Sequence, residues 1–146
     1  MALAPSAQAA EPVLDRANVV VNEQTGRCLD SDTDGNVYTK ECRSDNPYQQ
    51  WVPSDRSGST RVRLRNVQTG LCLTAVNSTS VRTMVCASNG YYPMEWGLVD
   101  KSGMQVLENG NSPTIPVVLD SDKDGKVYLR PATEHNRYQS WLFYLA

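Results

Sequence analysis

Histidine, positive charge and long apolar runs are all scarce in this 146-residue chain, and each scarcity closes off a class of function. The single histidine is His135, so a Ser-His-Asp arrangement has one candidate base, and a lone loop histidine is ordinarily just exposed. No apolar run approaches the ~20 residues that a membrane-spanning helix needs, so no membrane span is expected. Fourteen Lys and Arg against 16 Asp and Glu leave a net charge of -2, which offers no basic face for phosphates and makes nucleic acid an unexpected partner. A sustained i, i+3, i+4 apolar pattern is also missing, which argues against a helical solenoid. No Gly-rich phosphate loop occurs.

What is present is an internal repeat. Residues 29–51 read LDSDTDGNVYTKECRSDNPYQQW, and residues 119–141 read LDSDKDGKVYLRPATEHNRYQSW. The Asp-Ser-Asp-X-Asp-Gly, Val-Tyr and Tyr-Gln-X-Trp elements fall at the same offsets in both. A weaker copy, LTAVNSTSVRTMVCASNGYYPMEW at residues 73–96, keeps the leucine, a valine eight positions later and the closing tryptophan. Trp51, Trp96 and Trp141 are thus 45 residues apart each time. Propeller blades share this period, but three copies cannot close a propeller. The expectation is an all-β single domain over residues 11–146, with units at about 17–57, 60–101 and 102–146 packed around a pseudo-threefold axis.

Within the first unit, residues 17–21 are rich in β-branched side chains and suit a strand, followed by an Asn22-Glu23-Gln24-Thr25-Gly26 turn. Arg27-Cys28-Leu29 and residues 36–39 are expected to pair across Asp32-Thr33-Asp34-Gly35, where Asp-Gly supplies positive backbone angles. The second unit repeats the opening turn at Asn66-Val67-Gln68-Thr69-Gly70. The third lacks Gln-Thr-Gly and carries Asn109-Gly110-Asn111-Ser112-Pro113 instead. Residues 57–59 and 100–103 link the units.

The four cysteines form two spacings of 14, Cys28 with Cys42 and Cys72 with Cys86. In the third unit the equivalent Val118 and Ala132 replace both members together, as bonded partners require. Buried thiols or a four-sulfur zinc site are the alternatives, but the close-spaced knuckles that zinc favours are absent. Two disulfides are therefore expected, each worth up to ~3 kcal/mol, and with them a secreted, extracellular location. MALAPSAQAA at residues 1–10 reads either as the tail of a trimmed export signal or as an Ala-rich flexible terminus.

Gln49-Gln50-Trp51 and Gln139-Ser140-Trp141, set in this in-register repeat, resemble the Gln-X-Trp signature of ricin-type lectin domains, and the similarity spans roughly residues 15–146. The LDSD-DG-VY strings are most similar to three-repeat members that bind high-mannose glycans. The resemblance implies a β-trefoil with one signature per repeat and a non-catalytic, secreted carbohydrate-binding protein. Its expected ligands are mannose- or galactose-type glycans or glycoproteins. By that similarity the sugar sites are Asp30, Tyr38, Asn46 and Tyr48 in unit one, with Asp120, Tyr128, Asn136 and Tyr138 in unit three. The chemistry suits the residues: a carboxylate accepts from vicinal hydroxyls, and a tyrosine packs on the C–H face of a sugar. Gln49, Trp51, Trp96, Gln139 and Trp141 are expected to support the fold, the glutamines by hydrogen-bonding backbone in the adjacent turn.

In unit two, Thr74 replaces the aspartate, Arg82 and Pro93 the tyrosines, and Met94 the glutamine, so two sites are expected and not three. A rival lies in Asp30-X-Asp32-X-Asp34-Gly35 with Glu41 at the twelfth position, which has the spacing of an EF-hand calcium loop. Its flanks are strand-like, and the twelfth position of the other copy is Pro131, so no metal and no cofactor are expected. Asp30 and Asp120 belong to separate units, which argues against a paired-carboxylate glycosidase and against enzyme activity. A protease-inhibitor-like protein binder on the same fold is the alternative function. A monomer is expected, and Asn77-Ser78-Thr79 fits a glycosylation sequon.

Overall fold

The computed structural model describes residues 11–55, 61–88, 90–111 and 115–146. The 1–10 terminus, the link at 57–59, and Ser112 and Pro113 lie outside the described residues. Turn residues every few positions keep the elements short, and the described residues form twelve strands, none longer than six residues. No α-helix occurs among the described residues, and three one-turn 3-10 segments stand at Pro47–Gln49, Tyr92–Met94 and Arg137–Gln139. The fold is all-β.

Six strands close into a barrel: β1 (Asn18–Asn22), β4 (Gln50–Asp55), β5 (Arg61–Asn66), β8 (Trp96–Lys101), β9 (Met104–Asn109) and β12 (Trp141–Leu145). Each pairs antiparallel with the next, and β12 returns to β1 with Asn22 opposite Trp141. Closure leaves the barrel without a free edge. The other strands form three hairpins: β2 (Cys28–Ser31) with β3 (Val37–Lys40), β6 (Cys72–Ala75) with β7 (Val81–Met84), and β10 (Val117–Ser121) with β11 (Val127–Pro131). Barrel strand β1 alternates buried and half-buried residues, whereas β2, β6 and β10 are buried throughout. The expected strand at 27–29 begins one residue later, at Cys28, and Arg27 before it donates its guanidinium to the Thr39 carbonyl at 2.8 Å.

The core gathers Leu29, Leu73 and Leu119 with Trp51, Trp96 and Trp141, all fully buried. Each indole N–H donates to the carbonyl of its own unit's leucine, at 3.0, 3.0 and 3.1 Å. A buried tryptophan needs such a partner, which explains why leucine and tryptophan travel together in the repeat. Disulfides Cys28–Cys42 and Cys72–Cys86 close the first two units.

A set of buried asparagines ties the units to one another. Asn66 donates to the Tyr48 carbonyl at 2.8 Å, Asn109 to that of Pro93 at 3.0 Å, and Asn22 to that of Tyr138 at 2.9 Å. Unit two thus holds unit one, unit three holds unit two, and unit one holds unit three. Each side-chain oxygen meanwhile accepts backbone N–H groups of its own turn, from Gln68 and Thr69, from Asn111, and from Gln24 and Thr25. The third unit's turn, which lacks Gln-Thr-Gly, therefore keeps the asparagine that matters.

The hairpin tips close a second ring. Gly125 O accepts from Thr39 N, Gly35 O from Thr83 N, and Thr79 O from Leu129 N, at 2.9–3.0 Å. Gly35 and Gly125 adopt φ of +91° and +99°. A Cβ on Gly125 would stand 2.8 Å from Thr39 O, so both the backbone angle and the close approach require glycine there.

Replacing Asn66 by Ala removes one of the bonds between units one and two and leaves the half-buried Tyr48 carbonyl without its donor. Urea unfolding is expected to show a loss of about 2–3 kcal/mol with an unchanged m-value.

Candidate functional site

The β2–β3 register sets Asp30 directly opposite Tyr38, and β10–β11 sets Asp120 opposite Tyr128. Directly opposed residues project to the same face of a hairpin, so each aspartate meets its tyrosine by register alone. The second tyrosine comes from the 3-10 turn. Asn46 and Asn136 cap these turns, their side-chain oxygens accepting from Tyr48 N at 3.1 Å and Tyr138 N at 3.0 Å. The residue before each cap, Asp45 or His135, adopts a positive φ near 60° to swing the loop into place.

Gln49 joins these parts. Its amide nitrogen donates to Asp30 Oδ2 at 3.1 Å and to the Glu41 carbonyl at 3.0 Å, while its oxygen accepts from Arg43 N at 2.9 Å. Gln139 repeats all three contacts, with Asp120 Oδ2, the Pro131 carbonyl and Thr133 N. The backbone bonds expected from the sequence are there, but the grip on the aspartate 19 residues away is an addition. Both aspartates are nearly buried. Burial pushes their carboxyls above the ordinary 3.8, and hydrogen bonds from the glutamine and from Ser31 or Ser121 offset part of that. Burial also raises the Tyr38 and Tyr128 phenols, with the neighbouring aspartate adding to it.

In unit one, Asp30, Tyr38, Asn46 and Tyr48 all line one cavity of about 400 Å3. Lys40, Glu41 and Arg43 line it as well, none of them expected from the sequence at the sugar site. Lys40 Nζ sits 5.1 Å from the Tyr38 ring centroid, and Arg130 stands 4.8 Å from that of Tyr128. A cation two residues beyond each tyrosine falls on the same strand face, so period-two counting would have found it. In unit three, Asp120 faces Tyr128 across the hairpin, and Gln139, next to Tyr138, bonds Asp120. Asn136 there donates its amide to Thr133 Oγ1 at 2.9 Å, and so is committed within its own loop.

The calcium-like string folds as a hairpin with no helix on either side. Asp32 spends its carboxylate on the turn, accepting from Asp34 N, Asn36 N and the Asn36 amide, each at 2.9 Å. That bonding, led by the Asn36 side chain, holds its pKa below the ordinary value. Among the described residues, no group of three or more His, Cys, Asp or Glu gathers as a metal site would require.

Unit two differs in kind. Thr74 bonds the Cys72 carbonyl, Arg82 extends to the Asp34 carbonyl of unit one at 3.1 Å, and Met94 is buried with its sulfur accepting from Ala87 N at 3.2 Å. Methionine thus fills the glutamine's place without holding an aspartate. Gln49→Met is expected to fold while freeing Asp30 from a bond that lowers its pKa. An NMR titration should find the Asp30 carboxyl shifted further upward, with that of Asp120 unmoved.

Comparison with known proteins follows the same lines. The sequence profile described as the ricin-type beta-trefoil lectin domain matches residues 16–141. No curated protein matches significantly. Among solved structures, the chain is similar to a GlcNAcα1-4Gal-releasing endo-β-galactosidase from Clostridium perfringens, with a TM-score of 0.78 and 18% identity. That match covers 90% of this chain but only 33% of the other, so the likeness is one of fold over a third of a larger protein. With the profile spanning nearly all of the described barrel and hairpins, the chain belongs to the ricin-type beta-trefoil lectin domain family.

Proposed function

We propose that this is a secreted, non-catalytic, monomeric lectin that binds mannose- or galactose-type glycans at two sites, one in unit one and one in unit three. It is a β-trefoil whose units stand about a pseudo-threefold axis, and the two cyclic sets of hydrogen bonds, among asparagines and among hairpin tips, support that reading. Carbohydrate binding in general rests on the family. The observation that carries the particular sites is the Gln–Asp pair held identically in units one and three beside two tyrosines, and absent from unit two.

A buried carboxylate held by two neutral donors retains lone pairs for sugar hydroxyls, and charge-assisted bonds are the strong ones. The half-buried tyrosines offer ring faces for the C–H side of a pyranose. Two such aspartate–tyrosine sites on one small molecule let a branched glycan bridge them, raising avidity by ~10²-fold or more where the spacing matches.

The carboxylates cost the fold something. In the native state their pKa lies above the unfolded value, so the folded protein holds more protons in the window just above pH 3.8. Stability attributable to these groups therefore falls as pH rises through that window and stays lower at neutral pH. A residue retained against stability fits a binding role.

A glycan array identifies the ligand class, and calorimetry with the best hit measures sites. Asp30→Asn and Asp120→Asn are each expected to weaken one site by about 10- to 100-fold, equivalent to the ~1.5–3 kcal/mol of a bond to a charged group, and to reduce the stoichiometry from two towards one. The double variant should show that loss at both sites, about 10- to 100-fold weaker throughout, with a melting temperature that stays level or rises. An array without hits, or a double variant that binds normally, defeats the lectin reading. For the wild type, affinity should fall as the medium is acidified, with the break in log Kd above pH 3.8 because the free carboxyls titrate high.

A further inference from the structure

Unit two has lost its sugar-site chemistry but not its cleft. A cavity of about 370 Å3 stands at the hairpin and 3-10 turn of unit two, close in size to the one in unit one. Val76, Met84, Tyr91 and Pro93 line it from unit two, and Val117 and Leu129 line it from the hairpin of unit three. Arg82, standing where unit one has Tyr38, is absent from the lining because its guanidinium reaches away to the Asp34 carbonyl.

Several replacements exchange a polar or charged side chain for an apolar one, with Arg82 in place of Tyr38 and Asn77 in place of Thr33 as exceptions. Asp32 becomes Val76, Lys40 becomes Met84, Glu41 becomes Val85, Asn46 becomes Tyr91 and Tyr48 becomes Pro93. Val76, Met84, Val85 and Tyr91 are nonetheless 46, 39, 80 and 43% exposed. Exposed apolar side chains contribute little to folding and promote adhesion, and three of these, Val76, Met84 and Tyr91, line one cavity together. A flat partner surface does not reach into a concavity of this kind, whereas a small ring does. Tyrosine and methionine offer ring-edge and sulfur–aromatic contacts. Asn77 lines the same cavity, its carbonyl oxygen engaged by Thr79 and Ser80, which leaves its NH2 as the polar group it can offer.

We propose that unit two carries a third binding site, converted from sugar to a small aromatic ligand: a planar ring seated among Met84, Tyr91 and Pro93, with a polar substituent at Asn77. The site goes beyond glycan recognition and stands independently of it.

Indole tests this as a probe, titrated into protein carrying 13C-methyl methionine and 15N amides. The expected result is a saturable shift of the Met84 methyl and of the amides of residues 76–78 and 91–92, with a Kd of about 1 mM, the range a nine-atom fragment reaches. Val76→Asp and Met84→Lys restore the residues unit one carries at these places, so the hairpin should tolerate them. Each should raise the indole Kd at least tenfold, read from the amides in the lysine variant. Asp30→Asn should leave the indole Kd unchanged, which separates this site from the sugar sites whatever their fate. Shifts that fail to saturate by 10 mM, on the order of ten times that Kd, would overturn the proposal. So would shifts that scatter over other faces, or that persist undiminished in both restored variants.

Discussion

A single side chain per unit, the buried asparagine at the end of the unit's first barrel strand, makes a closed barrel out of three short repeats. Each unit is too small to bury its own apolar face, so stability depends on holding neighbours in register. Asn22, Asn66 and Asn109 do this with both ends of one amide, the oxygen shaping its own turn and the nitrogen bonding the preceding unit. Because that bond lands on Tyr48, Pro93 or Tyr138, the link between units is anchored in the same 3-10 turns that bear on the candidate sites. Barrel closure and site placement are thus mechanically joined.

The glutamine of Gln-X-Trp extends that coupling inward. Trp51 and Trp141 fix the start of the following strand by bonding a leucine carbonyl, and two residues earlier the glutamine grips an aspartate next to that leucine. Scaffold and site share one short segment, which is why the motif looks invariant in units one and three and still tolerates methionine in unit two. There the tryptophan remains, with its bond to Leu73, while the aspartate and the glutamine are gone together. The carboxylate is the part that strains the fold, and the unit that dropped it dropped its holder as well.

Reading the sequence located the pieces that obey local spacing. The cysteine pairs were legible because both members vanish together in unit three. Asp30 and Tyr38 were legible as neighbours because an Asp-Gly turn fixes hairpin register. Lys40 and Arg130 were within reach of the same counting and went unnoticed. Asn46 and Asn136 were singled out for sugar, and the structure gives them a capping bond that accounts for their position on its own. Asn109 was hidden by its altered turn, and the mixed apolar and polar cleft of unit two was hidden because Val117 and Leu129 come to it from another hairpin.

The sequence by itself determined the period of the repeat, the all-β character, the hairpin registers and the residues missing from unit two. These follow from offsets within some twenty residues, where backbone geometry leaves few alternatives. Only the tertiary structure decided which unit grips which, how Gln49 reaches Asp30, and what lines each cavity. Those contacts join residues as far apart as Asn22 and Tyr138, and their geometry exists only once the six barrel strands have closed.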